Sequence, residues 1–597
     1  MHTGSAESRD HLRQAIDDEK TLLEQSFQKS IQVLNARRNT LAPISRLPPE
    51  TLAEVFSFLS PSATTHPFRS KWICFSHVCR RWRETALNYP RLWSCIIFSD
   101  PAPVVMAEML AWAKMVPLHW EVDFTRWNEE EIDAFERQLE GHITHTRHLK
   151  VRGPLQMVLK RLVSSAPVLQ TLSLEHTSTY NQFTLIRDVI PVNLFNGIAP
   201  SLTSLELNTC NISLKSPLLK GLQNFEARYL QTRPKLEDWL DFLGEMPKLE
   251  SLVLQHATPS VISPLQVISE PSRTVAIPFL TKFHIIASPK DCALALAHLV
   301  MPALTSLLVN VESYGMNGGE IRRLIPYVAR NVYGPQDTKP LRSILICGEE
   351  KQVKVVAWTM PDTDLNSNIL FDTSITARLV FTATVSWNTR VHNEIIDALL
   401  MLLPVDSVAT LTVEENTRVS KEFWLNQALR WPSLEQVCLS STAVKAFRDM
   451  LAEDAPPDGP RLPSLRKLIL VNVTLTACRT YSLQDMLIKR MEQGVPLDVL
   501  DLGHCFAPER AIQLLGEIVV DVKEPLATNP MGMEEPEFFN LHRESEYWNG
   551  VEFDGIQDFR YGNKYDYGDN ENEDEPEYDA YDDDGDGDYD PNQDDGY

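Results

Sequence analysis

Leu169-Gln170-Thr171-Leu172-Ser173-Leu174 places leucine first, fourth and sixth in a six-residue phrase, and the chain repeats that phrase. It returns as Leu202/Leu205/Leu207, Leu249/Leu252/Leu254, Leu304/Leu307/Val309, Leu434/Val437/Leu439, Leu465/Leu468/Leu470 and Leu497/Leu500/Leu502. Weaker copies stand at Leu280/Phe283/Ile285, Leu341/Ile344/Ile346 and Val408/Leu411/Val413. A proline often precedes the phrase by two residues: Pro167, Pro200, Pro247, Pro278, Pro302, Pro432 and Pro463. Two copies run on to a cysteine, Cys210 and Cys505. The last two apolar places alternate with polar ones, which is the period of a strand. Helical patterns such as Lys235–Leu243 and Leu483–Gln493 separate the copies. A single short strand cannot bury its alternate side chains, so neighbours are expected to stack in parallel against flanking helices. The fold class that follows is α/β, a solenoid of strands and helices over residues 94–523 with the strands on a concave face. Lys351–Thr389 breaks the pattern. Its alternating run Leu379–Trp387 suggests an extra strand or an insertion.

This periodicity resembles leucine-rich repeats, in irregular copies. With the second and third leucines of each copy pointing inward, the residues between and after them face out of the sheet. Ser173, Glu175, Ser204, Glu206, Asn208, Gln255, Ser306 and Asn310 are therefore the candidate target-binding residues, followed along the chain by Gln436, Ser440, Lys467 and Ile469. The first group is polar and partly acidic, which suits a basic or hydrogen-bonding segment of a protein target.

Ahead of the repeats, residues 6–41 read as one helix. Leu23, Phe27, Ile31, Leu34 and Leu41 recur at helical spacing with no Pro or Gly, although Glu19 and Lys20 interrupt the seam. Either a short coiled coil or packing on the next domain fits this pattern. Next comes Ile44–Phe98. Pro48 and Pro49 suit a helix start, where a missing N–H costs nothing, and Leu52, Val55, Phe56 and Leu59 form one apolar stripe. Ser60-Pro61 is expected to end that helix. After a polar loop, Phe75, Val78, Cys79, Trp82 and Ala86 repeat the spacing, with Arg80, Arg81 and Arg83 on the opposite face, and Pro90 closes the segment.

The two runs ISRLPPETLAEVFSFL (44–59) and FSHVCRRWRETALNYPRLW (75–93) resemble an F-box of the form common in fungal proteins. The departure is a longer loop, Ser60–Ser70. The resemblance implies docking on a Skp-type adaptor, and through it on a cullin–RING complex. The residues implied for that contact are Leu47, Pro48, Glu50, Leu52, Val55, Phe56, Leu59, Val78, Cys79, Trp82 and Trp93. Such a subunit needs no catalytic constellation: the chemistry sits on partners that carry ubiquitin, and the receptor supplies proximity to the target lysine.

Composition narrows the alternatives. Of the net charge of −25, the segment 566–597 supplies 16 acidic side chains and no Lys or Arg, leaving a mildly acidic body of −9 over residues 1–565. That balance argues against nucleic-acid binding, which needs clustered Lys and Arg. The 566–597 tail cannot bury enough apolar surface to fold and reads as disordered, after a poorly patterned linker over 524–565. Polar Met1–Asp10 argues against a secretory leader, and no apolar run reaches the ~20 residues of a membrane span. Nine scattered cysteines without a Cys-x-x-Cys pair fit reduced thiols in cytoplasm or nucleus, each read as a small buried hydrophobe.

Phosphate-loop, zinc-helix and dinucleotide fingerprints are missing from the sequence, and neither a cofactor nor a metal is expected. His142, His145 and His148 read as surface residues beside a strand at Leu149–Val151. Asp582-x-Asp584-x-Asp586-Gly587 mimics half a calcium loop but ends on Gln593 where a bidentate Glu is required. A non-catalytic ubiquitin-ligase receptor for an unidentified protein target is the leading reading. The others are an F-box scaffold without a degradative role, an acidic-tail binder of basic proteins, and an enzyme hidden in the repeats.

Overall fold

The computed structural model describes residues 4–524, apart from 59–70, 99–102, 160–161, 178–189, 231, 260–270, 272, 313–317, 334–338, 350, 361–376, 386–388, 415–416, 418, 455 and 458. The linker beyond Glu524, the acidic tail with its half calcium loop, Leu59 and Ser60-Pro61 lie outside the described residues. Everything below concerns the unit Met1–His542.

A 37-residue helix, α1 (Gly4–Thr40), leads through a short 3-10 turn (Pro43–Arg46) into α2 (Pro49–Ser57). Pro48 caps α2 and Pro49 takes its first turn, where neither N–H is missed. A second continuous helix does not follow. Lys71–His77 is 3-10, and Cys79 is fully extended (φ −157°, ψ 165°) as the N-cap of α3 (Arg80–Leu87). The helical spacing of Phe75, Val78 and Trp82 thus spans two elements. The break lets the Phe75 ring stack on Phe56 at 4.4 Å while Trp82 tilts against the same ring at 5.1 Å.

Strands then follow in regular alternation with helices and turns. The first half holds β1 (Cys95–Phe98), β2 (Leu118–Asp123), β3 (Thr146–Gly153), β4 (Thr171–His176), β5 (Ser204–Asn208), β6 (Asn224–Arg228) and β7 (Ser251–Gln255). Next come β8 (Val275–Ala276), β9 (Lys282–Ala287), β10 (Leu299–Val300), β11 (Ser306–Glu312), β12 (Ser343–Glu349), β13 (Gln352–Trp358) and β14 (Leu379–Thr384). The last are β15 (Thr410–Val413), β16 (Gln436–Ser440), β17 (Lys467–Thr474), β18 (Val499–Phe506) and β19 (Asp521–Lys523). Seventeen of them form one sheet. Pairing runs in chain order from β1 to β7, then β9 and β11. It resumes from β12 through β15 to β19. Strands β8 and β10 make a separate parallel pair.

Register is set by the buried rows. Leu149, Leu172, Leu205, Phe225, Leu252, Phe283 and Leu307 stand abreast on successive strands, and Val151, Leu174, Leu207, Ala227, Leu254, Ile285 and Val309 form the parallel row two residues on. Both rows join one core with helix residues such as Leu240, Leu324, Leu399 and Met486. A one-residue slip would turn every one of these side chains to the opposite face.

The prolines acquire a reason. Each of the seven occupies the second place of a turn whose fourth residue is the first leucine of the phrase. Leu169, Leu202, Leu249, Leu280, Leu304, Leu434 and Leu465 donate their N–H to Ala166, Ala199, Met246, Ile277, Met301, Trp431 and Leu462 at 3.1–3.3 Å. Proline presets the φ that this turn position requires. At the opposite end of the strands Thr209, Tyr229 and His256 adopt positive φ (49–53°). The left-handed bend directs each N–H to the end of the next strand: Thr209 to Arg228 O, Tyr229 to Gln255 O and His256 to Ile286 O, at 2.7–3.0 Å. Cys210 and Cys505 point their thiols back to the preceding strand, at Leu174 O (3.5 Å) and Leu470 O (3.1 Å).

Parallel stacking fails where the sequence pattern failed. β13 is antiparallel to both β12 and β14, and β14 pairs in parallel with β11. Together they fill two places between β11 and β12, with Leu379, Phe381 and Ala383 extending the row of Leu307, Val309 and Val311. Arg378 fixes this crossing. Its buried guanidinium donates to Leu304 O and to Asn331 O and Val332 O at the end of the helix Gly319–Tyr333. The device recurs. Arg330 reaches Leu296 O and Ala297 O of the helix Pro289–His298, Arg430 reaches Leu400 O of Thr389–Leu402 and Leu403 O just after it, and Lys489 reaches Ala452 O after Ser441–Leu451. A cation on one repeat thereby satisfies the unpaired carbonyls of the preceding helix end and offsets its dipole.

Candidate functional site

In the N-terminal module the implied adaptor residues divide into two sets. Leu52, Phe56 and Trp93 are buried in its own core, Trp93 donating its indole N–H to Ala86 O at 2.8 Å. They hold the module together and are not free surface. Pro48 and Glu50 are exposed, Leu47, Cys79 and Trp82 are half-buried, and Leu59 lies outside the described residues. Val55 (43% exposed) and Val78 (59%) leave large apolar groups in water, as does Phe58 (83%). Val55 and Phe58, the residue that caps the C-terminus of α2, stand at i, i+3 and so on one side of it. Val78 follows three residues after Phe75, the ring stacked on Phe56. Sequence reading missed Phe58. Its place beside Leu59, one residue off the buried stripe, was the available signal.

Arg81 was also misread as solvent-facing. Its guanidinium reaches across to Ser45 O and Leu47 O, tying α3 to the turn that starts α2. Arg80 does stay at the surface, paired with Glu84 at 2.8 Å. The module is thus a preformed aromatic core whose entry turn is held by one arginine.

Residues 44–99 match the F-box-like family, and so form an F-box-like domain. F-box domains as a class bind Skp-type adaptors. No curated protein matches the chain.

The second candidate surface is the open face of the sheet. Across β2 to β7 its inner row runs Glu121, Lys150, Ser173, Glu206, Glu226, Val253, and the next row Asp123, Arg152, Glu175, Asn208, Arg228, Gln255. The expected acidic character is largely neutralised. Lys150 pairs with Glu121 (2.7 Å), and Arg152 sits between Glu175 (3.2 Å) and Asp123 (3.6 Å). Ser173 donates to Glu206 (2.9 Å), and Arg228 pairs with Glu226. Burial, with the Glu206 charge alongside, still holds the Glu226 carboxyl above its ordinary value despite Arg228. Ser173, Glu175, Ser204, Glu206, Asn208, Gln255 and Asn310 are all half-buried there.

Two expectations fail on this face. Ser306 is buried and donates to Ala377 O (2.9 Å), because the chain entering β14 crosses over it. Ser440 is buried likewise and donates to Val413 O (3.3 Å) as it passes into the next helix. Gln436, Lys467 and Ile469 are half-buried. Where the strands end, Tyr229 stacks on His256 (5.4 Å), Gln255 donates to the Tyr229 hydroxyl (2.5 Å), and His256 meets Glu312 (3.0 Å). Nothing in the phrase pattern marked this polar cluster.

Of the three histidines read as surface residues, His142 and His148 are half-buried and one departs fully from that reading. His145 is buried, with its Nε2 3.2 Å from His142 Nδ1, and the His148 ring lies 5.3 Å from His119 on the neighbouring strand. Among the described residues no group of three or more His, Cys, Asp or Glu is placed to hold a metal. Burial pushes the Cys95 and Cys505 thiols up to about 11 and Cys438 up to about 12, so these three are not thiolates at neutral pH. Cys74 and Cys478 depart from the buried reading and are exposed. No helix among the described residues is long and apolar enough to cross a membrane.

Burial lowers His119, His142, His145, His148, His284 and His392 below the ordinary imidazole value, with neighbouring charge adding to the effect at His145, His148 and His284. The unfolded chain therefore binds protons that the folded one refuses. Stability is complete above about pH 6.5 and falls as pH drops below it. Glu226, held high, works in the opposite direction with one group against six. Thermal unfolding between pH 7 and 5 is expected to show a falling midpoint. The fall should shrink in a His119→Gln/His148→Gln variant; an unchanged midpoint across that window would refute the linkage.

Proposed function

We propose that this chain is a non-catalytic receptor subunit of a cullin–RING ubiquitin ligase of the cytoplasm or nucleus. The F-box-like domain docks on a Skp-type adaptor, and the sheet-and-helix array captures a protein target. The observation that carries this reading is the family match over 44–99 on a module that leaves Val55, Phe58 and Val78 in water. Three large apolar groups on so small a unit favour a protein contact over solvent. Residues 94–523 read as an irregular leucine-rich-repeat solenoid. The ten leucine phrases each coincide with a strand, and the proline turn recurs in seven of them.

Target capture is assigned to the open face over β4 to β7, where the side chains of Glu175, Glu206 and Gln255 are already held by neighbours and Asn208 stands beside them. A sheet face of fixed charge pairs recognises a target by matching its pattern, and the ordering cost of those side chains has already been met.

Affinity purification after proteasome inhibition, read by mass spectrometry, tests both halves. The wild-type chain should bring down the adaptor, the cullin and one or more targets. Glu175→Lys/Glu206→Lys should lower target recovery about tenfold or more and leave adaptor recovery unchanged. Undiminished target recovery from that variant would remove the early open face as the reading surface. Adaptor without cullin, or a target whose half-life does not lengthen when this chain is depleted, would point to the scaffold role.

A further inference from the structure

A cavity of about 920 Å³ lies behind β5, β6 and β7, on the helical side of the sheet. Leu207, Phe225 and Leu254 of the buried rows line it. The lengths of the links explain why it is there. The link from β6 to β7 holds the helix Leu236–Gly244, which docks by Phe242 against Phe225, ring centroids 5.5 Å apart. The link from β5 to β6, residues 209–223, holds no α-helix, only the 3-10 turn Pro217–Leu219. It therefore supplies no helix to pack beside Leu236–Gly244, and space is left next to Trp239 and Phe242. Leu214 and Leu230, both half-buried, add to the apolar lining. The volume falls within the range of small-molecule sites, about 300–1,000 Å³.

The charged groups around this lining are sorted by element. Lys215 and Lys220 line the cavity from the β5–β6 link, Asp238 and Glu245 from the helix, and all four are exposed. At about 100° per residue Asp238 and Glu245 stand about 20° apart on the helix, with Phe242 about 40° from Asp238, so acids and ring share one side. Among the described residues none of the four has an ion-pair partner, and no lysine reaches a carboxylate across the cavity. The other two cations there are occupied, Arg273 by Asp241 and Arg233 by Asp291, each at 2.6 Å. A further observation lies in the wall. Asn211 is 6% exposed and lines the cavity; its Nδ2 donates to Thr232 Oγ1 (2.6 Å), and its Oδ1 accepts no hydrogen bond. A buried acceptor without a donor is costly, and a donor on a bound molecule removes that cost.

We propose that this cavity binds a single zwitterionic amphiphile. Its apolar chain lies against Leu214, Leu230, Trp239 and Phe242, its anionic group meets Lys215 and Lys220, and its ammonium meets Asp238 and Glu245. The ammonium also brings hydrogen-bond donors of the kind that Asn211 Oδ1 lacks. A ligand with an anion alone would face the two carboxylates uncompensated, and one with a cation alone would face the two lysines. Leu207 and Leu254 point to the cavity, so Glu206 and Gln255, which alternate with them, point to the other face of the sheet. The site is thus separate from the surface assigned to the target and does not rest on the receptor reading.

Calorimetric titration of the full chain with n-octyl phosphoethanolamine, kept below micelle-forming concentrations, tests this. The expected result is one molecule bound per chain with a Kd on the order of 0.1–1 mM, ordinary for a ligand of this size. Octyl phosphate and octylammonium, each carrying one of the two charges, should bind about fivefold more weakly or worse. Lys215→Glu/Lys220→Glu should weaken the zwitterion about tenfold and tighten octylammonium. Both lysines are exposed, so the fold is kept. Leu214→Trp, which fills the cavity, should abolish binding of all three probes; if its thermal midpoint falls, the lysine reversal decides. No saturable heat from the zwitterion, or heat unchanged by the lysine reversal, overturns the site. Octyl phosphate or octylammonium binding as tightly as the zwitterion overturns the ligand class.

Discussion

A Val55→Asp/Val78→Asp variant is expected to lose adaptor affinity by about a hundredfold or more while its thermal midpoint stays within a few degrees of wild type. Both side chains are exposed, so neither change opens a cavity. At a protein interface the same carboxylates would be desolvated in an apolar contact, and central contacts of this kind cost about 2–4 kcal/mol when disrupted. The control is Phe56→Ala. It removes the ring on which Phe75 and Trp82 pack, and is expected to unfold the module and abolish binding by a different route. Loss of binding by a folded protein separates docking from folding. A doubly charged variant that bound as wild type would move the adaptor contact away from Val55 and Val78.

The largest loss of stability is expected at Arg490→Ala, about 3–5 kcal/mol. Arg490 is only 1% exposed, and burial lowers its guanidinium to about 10, with no carboxylate paired to it among the described residues. Three carbonyls compensate for the desolvated charge: Arg461 O (3.0 Å), Leu462 O (3.2 Å) and Leu465 O (3.4 Å). These shape the proline turn that leads into β17. Truncation leaves them without that donor and opens a cavity, two costs that add. Arg466→Ala, at a solvent-exposed pair with Asp498, should cost less than about 1 kcal/mol. Chemical denaturation of the two variants should differ accordingly. Equal midpoints would mean that buried cations at repeat junctions carry no special weight.

How far the fold could be read from sequence depended on side-chain shape. Where leucine, isoleucine or valine filled the phrase, as at Leu202/Leu205/Leu207, period and burial coincided and the strand was legible. β6 escaped because Ala227 stands in the third place, a residue that fills the row but carries no apolar signal. β2 escaped because Trp120 and Val122 do the work of leucine with no proline turn ahead. The split between Lys71–His77 and α3 was invisible for another reason. Spacing at i, i+3, i+4 is kept across a break when both pieces face one core. At the candidate sites, sequence named polar positions on the strands but not their pairing. Which carboxylate meets Arg152, or that Ser306 lies under the crossing to β14, depends on contacts between residues tens of positions apart. The antiparallel β13 was legible only as a disturbance over Lys351–Thr389.

Titration of the purified, folded full-length chain with a purified Skp-type adaptor, followed by calorimetry, is the most direct measurement. The expected result is saturable binding of one adaptor per chain, submicromolar, and weakened about a hundredfold by Val55→Asp/Val78→Asp. Absence of heat and of co-migration at tens of micromolar adaptor, with the chain folded, would contradict the receptor function.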